Sequence, residues 1–352
     1  MSNVTFEPGC RNNWHSHTGG QLLIAVGGVG YYQERGKAAR RLLPGDVVEI
    51  APNVEHWHGA APDSWFSHLA IACNPQTNQN TWLEVVNDEE YAEAVKDRNS
   101  KNGKDENRIE LCKENYTQLF GGEALTGGGT DPEMMDILQK YIFGEVFRTG
   151  DLDIKTREMI TCVSLAAMQQ PPQLKSHAGA ALNTGVTPIE LREAIYQCAP
   201  IIGFPKVLNA LGAINSTFTE RGIKLPLEKQ ETVTEEDRLE KGLAIQKPLY
   251  GEAMKELLKD VPGGMGADVA RFLTEVHFGD FQTRSGLNTQ TRELLTFCVL
   301  TVIGAEPQLQ SHLQANLKVG NSKETLTAAI IQCMPYIGFP AAIKVLDIIK
   351  KA

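Results

Sequence analysis

The chain has no C-x-x-C pair, no apolar run approaching the length of a membrane span, no basic run interleaved with aromatics, and no tryptophan beyond residue 82. Each absence removes a class of function. A bilayer span requires about 20 consecutive apolar residues, so no membrane role is expected. The formal net charge of −9 works against a phosphate-binding surface, and nucleic acid is not an expected partner. The seven cysteines (Cys10, Cys73, Cys112, Cys162, Cys198, Cys298 and Cys333) are odd in number and scattered. That pattern fits reduced cytosolic thiols better than a disulfide framework. The opening residues, MSNVTFEPG, carry neither the basic nor the apolar region of a signal peptide. The expectation is a cytoplasmic protein acting on a small molecule. The stretch Gly127-Gly128-Gly129-Thr130 lacks the lysine of a phosphate-binding loop and reads as an ordinary loop.

What is present is unevenly placed. The 352 residues, 42% hydrophobic and 22% charged, suffice for two or three domains with sizeable cores. All four tryptophans, and five of the eight histidines, lie within the first 82 residues. Short apolar runs there, Leu22–Val26, Asp46–Ile50 and Phe66–Ala72, alternate with Gly, Pro and Asn turns, so residues 1–92 read as β. His15 and His17 stand two apart and project from one strand face. Gln21 follows a Thr-Gly-Gly kink, and His56-Trp57-His58 arrives after a Pro-Gly turn and another apolar run. A lone histidine on an apolar strand is usually a core residue. Two from one strand face plus one from a later strand are how a β-barrel builds a metal cage.

The motif Gly9-x5-His15-x-His17-x3-Gln21-x6-Gly28, followed by Gly45-x5-Ala51-x-Asn53-x2-His56, resembles the two cupin motifs over most of residues 3–92. Ala51 and Asn53 stand where that family usually has Pro and Gly, and Gln21 stands where it usually has Glu. The resemblance implies a β-barrel holding a divalent transition metal (Mn, Fe, Ni or Zn) through His15, His17, Gln21 and His56. Cupins normally place one or more strands ahead of the first motif, which here begins almost at Met1. The resemblance therefore implies that a further strand, another subunit or earlier residues complete the barrel. Three neutral imidazoles and a neutral amide leave the ion at its full +2, where a glutamate would reduce it to +1. The metal is then a stronger Lewis acid, favouring an alkoxide or hydroxide ligand. The run is similar to Gln-type bacterial cupins that include metal-dependent hydroxynitrile lyases, which implies acid–base roles for His58 and His68.

Residues 93–108, polar, charged and free of aromatics, read as a linker. From Ile109 the periodicity becomes helical, and the chain repeats itself. TREMITC…PPQLKSHAGAALNTG…IYQCAPIIGFP in the first copy parallels TRELLTF…EPQLQSHLQANLKVG…IIQCMPYIGFP in the second, with 312 − 177 = 135 relating the histidines. The copies are placed at 109–227 and 228–352, around a second linker at about 222–236. Thr187-Pro188-Ile189-Glu190 reads as a capping box, and Ser322 as a cap without the reciprocal glutamate. Each Gly-Phe-Pro reads as a helix stop.

Both copies resemble the carboxymuconolactone decarboxylase family, whose all-helical fold is shared with alkylhydroperoxidase, on Glu158, His177 and Glu293, His312 with the Gly-Phe-Pro after each. The peroxidase branch carries redox cysteines seven and four residues before the histidine. Here those positions are Gln170 and Gln173, and Ala305 and Gln308, so thiolate chemistry is not available by that route. Cys198 and Cys333 sit in apolar helices and read as small buried hydrophobes. Two readings of each Glu–His pair stand: an acid–base couple for decarboxylation, or a buried hydrogen bond tying two helices. Arg157 and Arg292 are candidates to hold a substrate carboxylate or to form structural ion pairs. Glu193 is a further candidate catalytic carboxylate with no counterpart in the second copy, which suggests that at most one copy is active. His277, whose counterpart is Ile142, reads as a helix-surface residue.

The expectation is a multidomain chain: an all-β cupin barrel followed by two all-α decarboxylase-like domains. It is read as a lyase on a small carboxylated or hydroxylated metabolite, assembled as a homo-oligomer. The alternatives are a peroxidase-type oxidoreductase and a non-catalytic ligand-sensing scaffold.

Overall fold

The computed structural model describes residues 2–95, 108–251 and 253–352. The chain forms two compact units, one up to residue 103 and one from 104 onward. Most of the stretch expected as a linker, residues 96–107, lies outside the described residues.

The first unit contains nine described strands: β1 (Ser2–Phe6), β2 (His15–His17), β3 (Gln21–Gly28), β4 (Gly30–Glu34), β5 (Arg40–Leu42), β6 (Val47–Ile50), β7 (His56–Ala60), β8 (Phe66–Ala72) and β9 (Asn80–Trp82). They make two antiparallel sheets, ordered β1-β8-β3-β6 and β5-β4-β7-β2-β9. Leu23, Ala25, Leu42, Val48, Ile50 and Phe66 fill the space between them. The alternation of β3, where Gln21, Leu23 and Ala25 are buried and the residues between them less so, follows from the period of two along a strand. β7 departs from alternation because every residue is buried. Its outward face is covered by helix α1 (Asp88–Ala94), which the reading of residues 1–92 as β missed. Tyr91 packs on Trp57 with ring centroids 6.0 Å apart and donates its hydroxyl to the Ala60 carbonyl at 2.7 Å. Gly28, which closes the first motif, has φ +69°, and a Cβ there would lie 1.7 Å from the Trp65 carbonyl oxygen. No other residue fits that turn.

The second unit begins with α2 (Arg108–Phe120) and α3 (Pro132–Gly144). The first copy continues through α4 (Ile154–Ala167), α5 (Pro171–Asn183), α6 (Pro188–Tyr196), α7 (Ala199–Ile202) and α8 (Phe204–Glu220). α9 (Arg238–Tyr250), α10 (Ala253–Leu258) and α11 (Gly266–Phe272) follow, and α11 runs on into a π-helical segment, Leu273–Gln282. α12 (Thr289–Ile303), α13 (Glu306–Lys318), α14 (Lys323–Ile337) and α15 (Phe339–Lys351) complete the second copy. None of the described helices is long and apolar enough to cross a membrane.

The repeat is visible in the hydrogen bonds. Asp153 caps α4 by accepting from the Thr156 amide at 2.8 Å, and Asn288 caps α12 from the Thr291 amide at the same distance. Thr187 and Glu190 form the capping box, and Ser322 caps α14 through the Thr325 amide. Gly203 and Gly338, with φ of +89° and +79°, end one helix, and Phe-Pro starts the next. The copies share one core, with Ile160, Val163 and Phe218 packed in the same cluster as Leu295, Phe297 and Ile330.

Arg157 and Arg292 hold this core together through buried hydrogen bonds to backbone carbonyls and to the other copy. Arg157 is 1% exposed and donates to the carbonyls of Val146, Thr149, Gly150 and Leu152 and to Gln332 Oε1 of the other copy. Arg292 does the same to the carbonyls of Arg284 and Ser285 and to Gln197 of the first copy. A buried guanidinium needs this many acceptors because it cannot shed its proton.

Candidate functional site

In the barrel, β2 pairs with β7 so that His15 lies directly opposite His56, with ring centroids 4.2 Å apart. His17, next but one along β2, stands 5.2 Å from His15 and 5.5 Å from His56. Gln21 opens β3 from the facing sheet. Two of the three rings are oriented from behind: His15 Nδ1 donates to the Asn13 carbonyl and His56 Nδ1 to the Val54 carbonyl, both at 2.9 Å. Since a carbonyl only accepts, both Nδ1 atoms carry hydrogen and both Nε2 atoms keep a lone pair. This is how metal-binding histidines are commonly held.

Burial lowers the pKa of every histidine in the cluster, and His56 falls to about 4. The imidazoles are therefore neutral, as a metal ligand must be. His17 Nε2, Gln21 Oε1 and His56 Nε2 are all buried without a protein partner. Burying three such groups in one place costs several kcal/mol unless something binds them. Among the described residues, His15, His56 and His58 bring ring nitrogens within 4.8 Å of one another. The His58 ring, however, already lies 3.0 Å (Nε2) from the Asn12 amide, whereas His17 Nε2 and Gln21 Oε1 are buried without a partner and Gln21 lies close enough to His17 to raise its pKa. The set His15, His17, Gln21 and His56 thus fits a divalent ion on donor chemistry, and His58 fits a place beside it.

His58 and His68 adjoin the cage. Their ring centroids are 4.7 Å apart at 81°. His68 is wholly buried, stacked between Phe6 and Phe66, with neither ring nitrogen partnered. Burial holds His68 near 4 and takes His58 well below the usual histidine value, with the neighbouring imidazoles adding to the effect. Asn12 holds His58 from both ends, accepting from its backbone amide at 2.9 Å. The sequence reading did not single out Asn12, although it lies inside the first motif.

In the helical unit each glutamate on the fourth or twelfth helix meets the histidine of the next one. Glu158 Oε2 accepts from His177 Nδ1, and Glu293 Oε2 from His312 Nδ1, both at 2.9 Å. The surroundings differ. Around the first pair stand Phe120 and, from the second copy, Tyr336, with centroids 5.5 and 6.2 Å from His177. Glu158 is fully buried and its Oε1 has no partner. Around the second pair, the Tyr250 hydroxyl lies 2.7 Å from both Glu293 Oε2 and His312 Nδ1. Neither tyrosine was foreseen. The signal available was that both break the repeat, since Asn115 and Ile201 occupy the equivalent positions. A cavity of about 320 Å³ beside α5 is lined by Phe120, Lys175, Asn183 and Arg221, among others, but not by Glu158 or His177.

The surroundings of two further residues are defined. Glu193 is fully buried and paired with Arg284 at 2.8 Å, Arg192 at 3.4 Å and Arg292 at 3.4 Å. It balances guanidinium groups between the copies, so its absence from the second copy says nothing about which copy is active. His277 is not on the surface. It lies buried in the π-helical segment, close enough to His312 and Glu293 to feel their charge, and burial lowers it to about 4.

A two-sheet barrel with a histidine cage, followed by a duplicated helical unit with one buried Glu–His pair per copy, defines a two-module protein. The carboxymuconolactone decarboxylase family profile matches residues 132–216 and 267–351, and a cupin domain profile matches 2–67. The chain belongs to the carboxymuconolactone decarboxylase family and carries a cupin domain at its N-terminal end. It is 47% identical over 90 residues to (R)-mandelonitrile lyase of Granulicella tundricola, covering 26% of this chain and 69% of that one. It is 30% identical over 110 residues to 4-carboxymuconolactone decarboxylase of Acinetobacter baylyi, covering 31% and 82%. A solved cupin-like protein of Thermotoga maritima is 54% identical over 27% of this chain and 72% of that one, with a TM-score of 0.27.

Proposed function

We propose that the chain is a cytoplasmic, metal-dependent lyase acting on a small carboxylated or hydroxylated metabolite. The observation that carries this reading is the convergence of three unpartnered buried donors, His17 Nε2, Gln21 Oε1 and His56 Nε2, beside His15. His15, His17, Gln21 and His56 hold one divalent transition ion (Mn, Fe, Ni or Zn), which when bound supplies Lewis-acid stabilisation of developing negative charge. His58, held by Asn12, and His68, neutral through burial, are placed to take and return the substrate proton.

In the helical unit, Glu158 orients His177 through Nδ1 and leaves the Nε2 lone pair facing away from it. For a decarboxylation His177 Nε2 takes the proton of the substrate's carboxyl group, the bond to the carboxyl carbon breaks, carbon dioxide leaves with its oxygens, and His177 returns that proton to the carbon that keeps the electron pair. A peroxidase is disfavoured because Cys162, Cys198, Cys298 and Cys333 are buried, and burial drives Cys198 up to about 12. A thiol so placed does not ionise near neutrality.

The test is to assay cyanide release from mandelonitrile and carbon dioxide release from 4-carboxymuconolactone, with and without chelator. Loss of the first activity in the chelated protein and in His56→Ala supports the metal-lyase reading. Neither product from the metal-loaded protein counts against it.

A further inference from the structure

The two Glu–His pairs of the helical unit are built from equivalent residues but completed by different tyrosines. At the second pair the Tyr250 hydroxyl touches both partners, 2.7 Å from Glu293 Oε2 and 2.7 Å from His312 Nδ1. The phenol occupies the place beside carboxylate and imidazole that a ligand hydroxyl would otherwise take, and Asn316 bridges the backbone carbonyls of Glu293 and His312 at 3.1 and 2.8 Å. That pair is satisfied from within.

At the first pair the equivalent of Tyr250 is Asn115, whose side-chain amide is turned away to the Phe143 carbonyl at 2.7 Å. Glu158 Oε1 is left without a partner although the residue is fully buried. A tyrosine does reach this pair, but from the other copy. Tyr336 sets its ring edge-on to His177 at 87°, and its hydroxyl accepts only a long 3.4 Å bond from Thr161, so its own hydrogen is free. A glutamate with one oxygen lacking a donor, a phenol with a hydrogen to give and the Phe120 ring thus all adjoin the His177 ring. A buried carboxylate left this way carries a desolvation cost that a ligand removes.

We infer that the copies have divided their roles: the Glu158–His177 pair, completed across the internal repeat by Tyr336, is the ligand site, and the Glu293–His312 pair is closed by Tyr250 and serves the fold. Tyr336 is a specificity-determining residue for that site. The ligand donates one hydrogen bond to Glu158 and accepts one from Tyr336. That it is a small carboxylated molecule rests on the proposed function above.

The experiment is calorimetric titration of the full-length protein with paraconate, a stable lactone acid, beside thermal unfolding of each variant. The wild type binds one molecule per chain. Tyr336→Phe and His177→Ala weaken binding by at least about tenfold, and His312→Ala leaves it unchanged. Tyr250→Phe adds a second site per chain and lowers the melting temperature, whereas Tyr336→Phe leaves the melting temperature unchanged. Two molecules bound per wild-type chain, or equal losses in His177→Ala and His312→Ala, overturn the division of roles. Equal melting shifts in the two tyrosine variants do the same without reference to any ligand. No binding by the wild type overturns the assignment of the first pair as a carboxylate site. The metal content of the barrel does not enter any of these outcomes, so a failed metal test leaves them standing.

Discussion

In the proposed ligand set Gln21 fixes the charge of the barrel site, because it stands where cupins usually have a glutamate. Gln21→Glu should tighten retention of a divalent ion by about tenfold or more, since a full charge at ligand distance contributes well over 1 kcal/mol even in a polar setting. The same change should slow the lyase reaction, because the ion is then a weaker acid. Competition with a chelator measures the first effect and the lyase rate the second. Unchanged retention would mean that Gln21 does not touch the ion. Glu193 makes the opposite kind of claim. It is buried among three arginines, so Glu193→Ala should cost about 3–5 kcal/mol of stability, as expected when one partner of a buried ion pair is removed. Urea unfolding measures it. A variant as stable as the wild type would restore the catalytic reading of Glu193.

The π-helical segment that carries His277 is the element where the second copy departs from the first. His277 sits near 4 because burial penalises its charged form, against 6.5 in the open chain. Below pH 6.5 the unfolded state therefore takes up a proton that the folded state refuses. Stability is full above 6.5 and falls as the pH drops toward 4, by about 3 kcal/mol for a shift of this size. His277→Ile, the residue of the first copy, should flatten that part of the stability–pH curve, and a curve of unchanged slope would place the loss elsewhere. This element also marks where the sequence was not legible. A histidine with no counterpart in the repeat looked like surface, because the helical pattern carries no sign of the i→i+5 bonding that turns it inward. The caps at Thr187 and Ser322 were legible, because a short polar side chain before a helix accepts from its first free amides.

On the scale of the molecule, spacing was the readable signal. Histidines two apart on a strand must share a face, and a 135-residue repeat must build its elements twice. Partners brought from far along the chain were not readable. Asn12 against His58, Glu193 against Arg284, and Tyr336 against His177 are pairings that only the packing reveals. Assembly belongs to this scale as well. Ile137, Phe204 and Leu208 are exposed, and so are their equivalents Phe272, Phe339 and Ile343. Apolar residues exposed at matching positions of both copies are the kind of surface that covers itself in an oligomer. Light scattering should give a mass above that of one chain, and Phe204→Glu with Phe339→Glu should reduce it. A wild-type protein that scatters as a single chain would remove the homo-oligomer from the account.

The most direct test of the account is elemental analysis of purified wild-type, His17→Ala and His58→Ala proteins. The account predicts close to one divalent transition ion per chain in the wild type and in His58→Ala, and almost none in His17→Ala. A wild type without metal, or an ion kept by His17→Ala and lost by His58→Ala, would contradict it.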